Sequence, residues 1–444
     1  MQNNRKHHIS HDPIHDSAVK HVQGRSIYID DMPRFDNELH ACPATSPFAS
    51  AVIKNIDISE ALKAPGVRFI VTADDIPGKN QMGPVFHDEV CLADKELLCI
   101  GHTYAVVAAD TYEQAYHATK LIKLDAEERA PVLTIDQAIA ANSRLQPERK
   151  IERGEVDKTF KQSKHILEGQ FKNGAQEHWY LETQSCIVVP GEELELMVYS
   201  STQHPSETQA IVSEVMGIPR NEITVETRRL GGAFGGKETS GNHVAAWAAL
   251  LARKSGRPIR IRLTRDMDQA ITGKRHPFQS DWKIAFDDNG RIEAYQVELN
   301  ADGGMATDLT MAILERGMLH AENSYFIPNI RIIGNAWKTN LPSNVAFRGF
   351  GQPQGMAVIE EAIEAIACYL GKESLDIRRI NYYDTKSRNI APYGAEVKQN
   401  HLLRIEGEIL KSSNYLKRKA EIDAFNANSK HIKRGISLTP VKFV

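Results

Sequence analysis

The chain has 444 residues, 41% of them hydrophobic and 25% charged, with a formal net charge of -3. That length suits two or three domains with sizeable cores. The charge balance gives no reason to expect nucleic acid as a partner, and no apolar run is long enough to span a bilayer. Met1 to Asp16 is polar and lacks the apolar stretch of a secretory signal. His7, His8, His11 and His15 cluster there, but Pro13 interrupts them, so residues 1–18 read as a solvated tail rather than a metal site.

Residues 19–133 read as a small α+β unit. Asp57 to Leu62 resembles a capped short helix, and Pro65-Gly66 turns into a strand over Val67 to Thr72. Tyr104 to Ala109 is a second strand, and Thr111-x-x-Gln114 is a capping box opening a helix. Leu121 to Leu124 returns as a strand, and Asp136 to Ala141 is helical. Residues 134–156 are expected to form a linker, polar from Ser143 to Glu155. Nothing in this unit reads as catalytic. Cys42, Cys91, Cys99, Cys186 and Cys368 form no CxxC pair, so the expectation is free thiols in a reducing cytoplasm, with no zinc or iron–sulfur site in the chain.

Residues 157–444 form the second unit. An extended region begins near Gly169, and Leu194 to Ser200 alternates like a strand. Ser206-x-x-Gln209 predicts a capping box for a helix ending at Gly217. A strand over Ile223 to Leu230 runs into Gly231-Gly232-Ala233-Phe234-Gly235-Gly236-Lys237-Glu238, followed by a helix from about Asn242 to Gly256. Ile259 to Leu263 is a further strand, and Asp288-Asn289-Gly290 predicts a hairpin. Ala357 to Leu370 is amphipathic, with Glu360, Glu361 and Glu364 expected on the solvent face. Gly435 to Val444 reads as strand material. This order of hairpins and helices argues α+β rather than a doubly wound sheet.

The glycine-rich stretch nearly matches G-x-x-x-x-G-K-[ST], but its eighth position is Glu238. A carboxylate there removes the hydroxyl that holds Mg²⁺, so a nucleotide triphosphate site is not expected. A second loop, Phe347-Arg348-Gly349-Phe350-Gly351, again sets a cation among glycines. Two such loops suit a large, polar, phosphate-bearing cofactor whose anion meets backbone N–H groups and a guanidinium.

Both loops resemble the molybdopterin loops of the xanthine dehydrogenase family. So do Gly174 to Thr183, Ser201-Thr202-Gln203, Arg275-His276-Pro277-Phe278 and Lys338 to Asn344. The resemblance covers nearly the whole chain. It implies a small α/β-hammerhead domain followed by a mixed α+β molybdopterin-binding domain, incomplete at its C-terminus. It implies a molybdopterin-type cofactor lined by Gln203, Phe234, Gly235, Arg348 and Gly349, with Gln203, Phe234 and Arg348 near the molybdenum without ligating it. Glu238 and Arg316 match the polar pair that orients a purine, and Phe350 matches one of two aromatics sandwiching its ring. That pair favours purine hydroxylation over the aldehyde oxidase alternative. The family's catalytic glutamate, in a G-E-P-P-like segment, is absent from this sequence, and Glu238 is no substitute because it contacts substrate. The expected catalytic set in this chain is therefore empty. [2Fe–2S] clusters and FAD are expected on partner chains or domains, with NAD accepting the electrons, and a separate chain carrying the C-terminal half of the molybdenum domain is a further candidate partner. The isolated chain is expected to be inactive. A non-catalytic fragment acting as a structural partner is the other reading.

Overall fold

The computed structural model describes His15 and residues 17–443, so His7, His8 and His11 lie outside the described residues. Among the described residues, three sheets organise the fold. The largest has seven strands in the order Ile223–Glu226, Leu196–Ser200, Ser185–Pro190, Ile259–Arg262, Leu39–Thr45, Thr103–Ala109 and Val67–Thr72. The first four come from the second unit and the last three from the first. Leu39–Thr45 and Ile259–Arg262 join the two sets in parallel, with Leu39 opposite Ile259 and Ala41 opposite Ile261. Alternating apolar residues make this possible: Ala41, Val106, Val188 and Ile261 all face one core.

The helix Gly241–Ser255 covers that core. Its small face, Ala245 to Ala249, lets it lie close to the sheet, and the buried Trp247 donates its indole N–H to the Cys91 carbonyl at 3.0 Å. Gly256 closes it in the left-handed conformation, at φ 64°. A five-stranded sheet runs Arg149–Arg153, Asn329–Lys338, Ile292–Gly304, Phe278–Phe286, His165–Asn173. The hairpin at Asp288-Asn289-Gly290 forms as expected, with Gly290 at φ 90°. Ile292–Gly304 and Asn329–Lys338 are parallel, so the chain crosses over between them through the helix Thr310–Met318. The helix Gln352–Leu370 packs Val358, Ala362 and Ile366 against this sheet.

Several expectations change. Residues 134–156 are no mere linker: Ile135–Ala140 is a helix packed on Trp337, and Arg149–Arg153 is an edge strand of the five-stranded sheet. Polarity misled there because an edge strand tolerates charge on both faces. The helix expected from a capping box at Ser206 begins instead at Pro205, with His204 preceding it and no side-chain cap; proline at the first helical position needs no N–H partner. Glu360 and Glu364 do not face solvent alone: both accept from the buried Arg378, at 2.9 and 2.6 Å. Residues 435–443 are not a strand. They are docked through side chains: Asn323 donates to the Pro440 carbonyl at 2.9 Å, and Lys442 reaches Glu322.

Candidate active site

Leu196–Ser200 and Ile223–Glu226 are parallel neighbours, so the segments that follow both leave the sheet on one edge. Gln203 lies on the first of these segments and the glycine-rich loop on the second. The loop is bound to its neighbour by the Gln203 side chain. Its Oε1 accepts from the Gly235 N–H at 2.9 Å and from the Lys237 N–H at 3.3 Å, and the Gln203 N–H donates to the Lys237 carbonyl at 2.8 Å. With its oxygen committed, the exposed Gln203 has two amide N–H donors that no protein group accepts among the described residues.

Lys237 points the opposite way from a phosphate-binding lysine. Its side chain is 0% exposed, and Nζ donates to Glu182 Oε2 at 3.0 Å and to Ser201 Oγ at 2.8 Å, 4.8 Å above the Tyr180 ring. Burial depresses its pKa, against the opposing pull of Glu182. Glu182 Oε2 also accepts from the Gly231 N–H at 2.9 Å and the Ser201 hydroxyl at 2.6 Å. One carboxylate therefore holds the start of the loop, its lysine and the adjacent strand end. This gives a structural cause for the near-match to the nucleotide motif.

The second loop docks on the first. The Arg348 N–H donates to the Phe234 carbonyl at 2.8 Å. Arg275 donates to the Arg348 carbonyl at 2.9 Å and lies 3.9 Å over the Phe347 ring. His178 donates Nε2–H to the Ala346 carbonyl at 2.7 Å and stacks on Phe347 at 4.5 Å; burial lowers its pKa and keeps the ring neutral. The glycines serve this docking rather than ligand approach. A Cβ on Gly235, which sits at φ +102°, would fall 2.6 Å from the Ala346 carbonyl oxygen, and one on Gly236 would fall 2.6 Å from the His178 ring. Phe234 and Phe350 also take positive φ, 56° and 48°, a conformation uncommon for bulky residues that marks the loop junction as strained.

Gln203, Phe234, Gly235, Arg348 and Gly349 are thus gathered on one edge. Glu238 follows on the first loop, half-buried, with its pKa raised by burial and by the nearby Glu207 charge against His204. Arg316 sits on Thr310–Met318, the helix whose Ile313 carbonyl packs against Gly351 next to Phe350. Glu238 and Arg316 form no ion pair with each other or, among the described residues, with any other charge. The Arg316 guanidinium lies 4.8 Å over the Phe443 ring, and its buried Nε has no hydrogen-bond partner. His178, Glu182 and Arg275 lie inside motifs read from sequence but were assigned no role there, and Gln184, which donates to the Gly236 carbonyl at 2.7 Å, lies just outside them. The acid that sets the Lys237 role lies 55 residues away in sequence, so no local signal pairs the two.

The exposed chemistry here is amide, backbone, phenyl and guanidinium. Such groups suit an anionic organic cofactor that brings its own metal ligands. Residues 139–382 match the family described as molybdopterin cofactor-binding domain, and residues 23–130 match the aldehyde oxidase and xanthine dehydrogenase a/b hammerhead domain. The chain belongs to the molybdenum hydroxylase family of xanthine dehydrogenases and aldehyde oxidases. It is similar to xanthine dehydrogenase of Dictyostelium discoideum, 42% identical over 99% of this chain and 32% of that protein. It is 43% identical to aldehyde oxidase 1 of Oryctolagus cuniculus over 98% of this chain and 32% of that protein. The aldehyde oxidoreductase structure from Desulfovibrio gigas superposes with a TM-score of 0.86 at 27% identity, covering 94% of this chain and 47% of that one. The chain therefore spans about a third of the length of these curated relatives (32%). Among the described residues no helix is long and apolar enough to cross a membrane.

Proposed function

We propose that this chain forms one wall of the molybdenum site in a hydroxylase acting on xanthine- or hypoxanthine-type purines. Gln203, the Phe234 and Gly235 backbone, Arg348 and Gly349 would hold the molybdopterin-type cofactor. When bound, that cofactor supplies the oxygen-transfer and two-electron chemistry. This chain's own residues bind and orient. The Gln203 amide offers N–H donors, and Arg348 offers a guanidinium to an anion. Glu238 and Arg316 would grip the N–H and C=O edges of the purine, and Phe350 would cover a ring face.

One observation supports the purine reading: Glu238 beside the first loop and Arg316 on the helix that packs against the second loop are both partly buried, and among the described residues neither has an ion-pair partner. Two desolvated, opposite charges left free of each other suit a ligand with a donor edge and an acceptor edge. The near-equal identities to xanthine dehydrogenase and aldehyde oxidase keep aldehyde oxidation as the second reading. Glu238→Gln and Arg316→Met in the full-length enzyme separate them. Purine kcat/KM should fall about 100-fold, the loss of charged hydrogen bonds worth roughly 1.5–3 kcal/mol each. Aldehyde kcat/KM should change only several-fold. Equal losses on both substrates refute the purine assignment.

We also propose that electrons pass to [2Fe–2S] and FAD groups on partner chains or domains, and that the protein works in a reducing cytoplasm. An apolar surface beside the site supports a partner: Leu181 is 92% exposed, Trp179 63% and Phe234 49%. They adjoin an open groove of about 870 Å³ lined by Leu181, Leu230 and Arg265. Because this sequence holds no G-E-P-P-like segment, the chain alone should bind little molybdenum and turn over no xanthine. Near-stoichiometric metal with turnover by the purified chain refutes that.

A further inference from the structure

The contact between the hammerhead loop and the molybdopterin-binding domain encloses a polar feature that the proposed chemistry does not use. A cavity of about 40 Å³ is lined by Glu89, His102 and Thr103 from the first unit and by Thr239, His243 and Asp308 from the second. At roughly 10–15 Å³ per water, it has room for about three. His102 Nε2, Thr103 Oγ1 and Asp308 Oδ1 are buried on these lining residues without a protein partner.

The donor pattern identifies the ligand. His102 Nδ1 accepts the Leu98 N–H at 3.2 Å, which places the ring proton on Nε2, and burial lowers the His102 pKa to about 4, so the ring is neutral. Asp308 is fully buried; burial, reinforced by the Glu89 charge, raises its pKa well above the usual carboxyl range. Burial therefore favours the protonated acid, and because Oδ2 accepts from Thr239, Oδ1 is the oxygen left to hold the proton. Glu89 is already engaged by His243 at 3.1 Å. A ring N–H and a carboxyl that burial biases toward its protonated form line one cavity, and that pair disfavours a cation. Together with the Thr103 hydroxyl they offer the mixture of donors and acceptors that water satisfies. Among the described residues no group of three or more His, Cys, Asp or Glu suits a metal ion.

The same carboxyl reaches the site. Thr239 Oγ1 donates to Asp308 Oδ2 at 2.8 Å, and Thr239 directly follows Glu238. Asp308 is held at φ 41°, a left-handed conformation that needs support. The support comes from the first unit: Asp88 accepts the Thr307 N–H at 3.0 Å and the Thr307 hydroxyl at 2.5 Å.

We propose that this junction is a built hydration site for about three waters, and that through it the hammerhead domain positions the segment carrying Glu238. Only the meaning of Glu238 rests on the purine reading; the hydration site stands apart from it. A crystal structure of the protein, with a rubidium chloride soak, tests the first part. Ordered solvent should lie within hydrogen-bonding distance of His102 Nε2, Thr103 Oγ1 and Asp308 Oδ1, with no anomalous peak. An empty cavity, or a rubidium peak inside it, overturns the hydration site. For the second part, Asp308→Asn keeps an acceptor for Thr239 and a donor for water. Its Glu238 amide, which donates to the Gly235 carbonyl at 3.3 Å, should exchange with solvent within about twofold of the parent, whereas Asp308→Leu should exchange about tenfold faster or more. Asparagine behaving like leucine overturns the neutral-acid role, and leucine behaving like the parent overturns the positioning. Should the leucine variant not fold, the asparagine comparison and the solvent peaks still decide. Ordered solvent together with equal purine and aldehyde losses for the Glu238 variant would reject the substrate reading alone.

Discussion

Replacing Lys237 with methionine removes one charge from a buried pair while nearly preserving volume. Lys237 Nζ and Glu182 Oε2 are 3.0 Å apart, with the lysine side chain 0% exposed and the glutamate 11%. The glutamate would keep the Gly231 N–H and the Ser201 hydroxyl, at 2.9 and 2.6 Å. Its other oxygen is buried and already without a partner. Breaking a buried pair from one side costs about 3–5 kcal/mol, and the two surviving hydrogen bonds place the expectation near the lower end, about 3 kcal/mol. Removing both charges, Lys237→Met with Glu182→Gln, should recover at least about 1 kcal/mol, because the glutamine leaves no uncompensated charge. Urea denaturation of the two single variants and the double variant gives the cycle directly, provided the transition stays two-state. A Lys237→Met cost below about 1 kcal/mol would show that the pair does not hold the loop. So would a double variant less stable than either single one. Mg²⁺-dependent ATP binding that Lys237→Met abolishes would refute the reasoning from the other side.

Gly235→Ala should cost about 2 kcal/mol or more, from positive φ and a Cβ meeting the Ala346 carbonyl, and should loosen the contact between the two loops; a thermal melt with exchange of the Arg348 amide checks it. Arg378→Met should destabilise by about 3 kcal/mol, near the lower end for a buried pair, because it removes the guanidinium from Glu360 and Glu364 while Tyr325 and Ser374 still donate to them; denaturant midpoints measure it. Acid should weaken the fold before its carboxylates protonate. His102 and His276 are buried with pKa values lowered to about 4 and about 3. The unfolded chain binds those protons first, so their stability contribution is complete above about pH 6.5 and is lost as pH falls toward 4 and 3. His102→Asn should flatten part of that slope between pH 6.5 and 4 in a melting series, and an unchanged slope would show that His102 is not the group responsible.

Local grammar made much of the fold legible. Thr111 and Gln114 form the reciprocal capping box they spell, and Gly217, Gly256 and Gly371 end their helices in the left-handed conformation. The Asp288-Asn289-Gly290 turn was readable because its residues carry their own backbone preference. Lys237 was not, because its role is set by Glu182, and no local pattern says that a distant carboxylate will be buried beside it. The helices Leu402–Ser412 and Tyr415–Asn428 went unread, and their polarity explains why: each buries a single residue, Glu406 and Tyr415. The extended segment from Gly435 reads as a strand in sequence, yet alternation cannot distinguish sheet pairing from docking through side chains such as Lys442. At the site, the motifs identified which residues gather, while the direction each side chain faces came from the packing of one loop on the other.

The parallel pairing of Leu39–Thr45 with Ile259–Arg262 bears on how such proteins can be cut and recombined. The two family matches cover residues 23–130 and 139–382, and backbone hydrogen bonds run across the boundary between them. Excising the first block would uncover an inner strand edge of the second, with the apolar residues of Gly241–Ser255 beneath it. Swapping hammerhead domains between relatives therefore amounts to resetting a strand register in the middle of a sheet. Chimaeras should succeed or fail on whether residues 39–41 still fit residues 259–261.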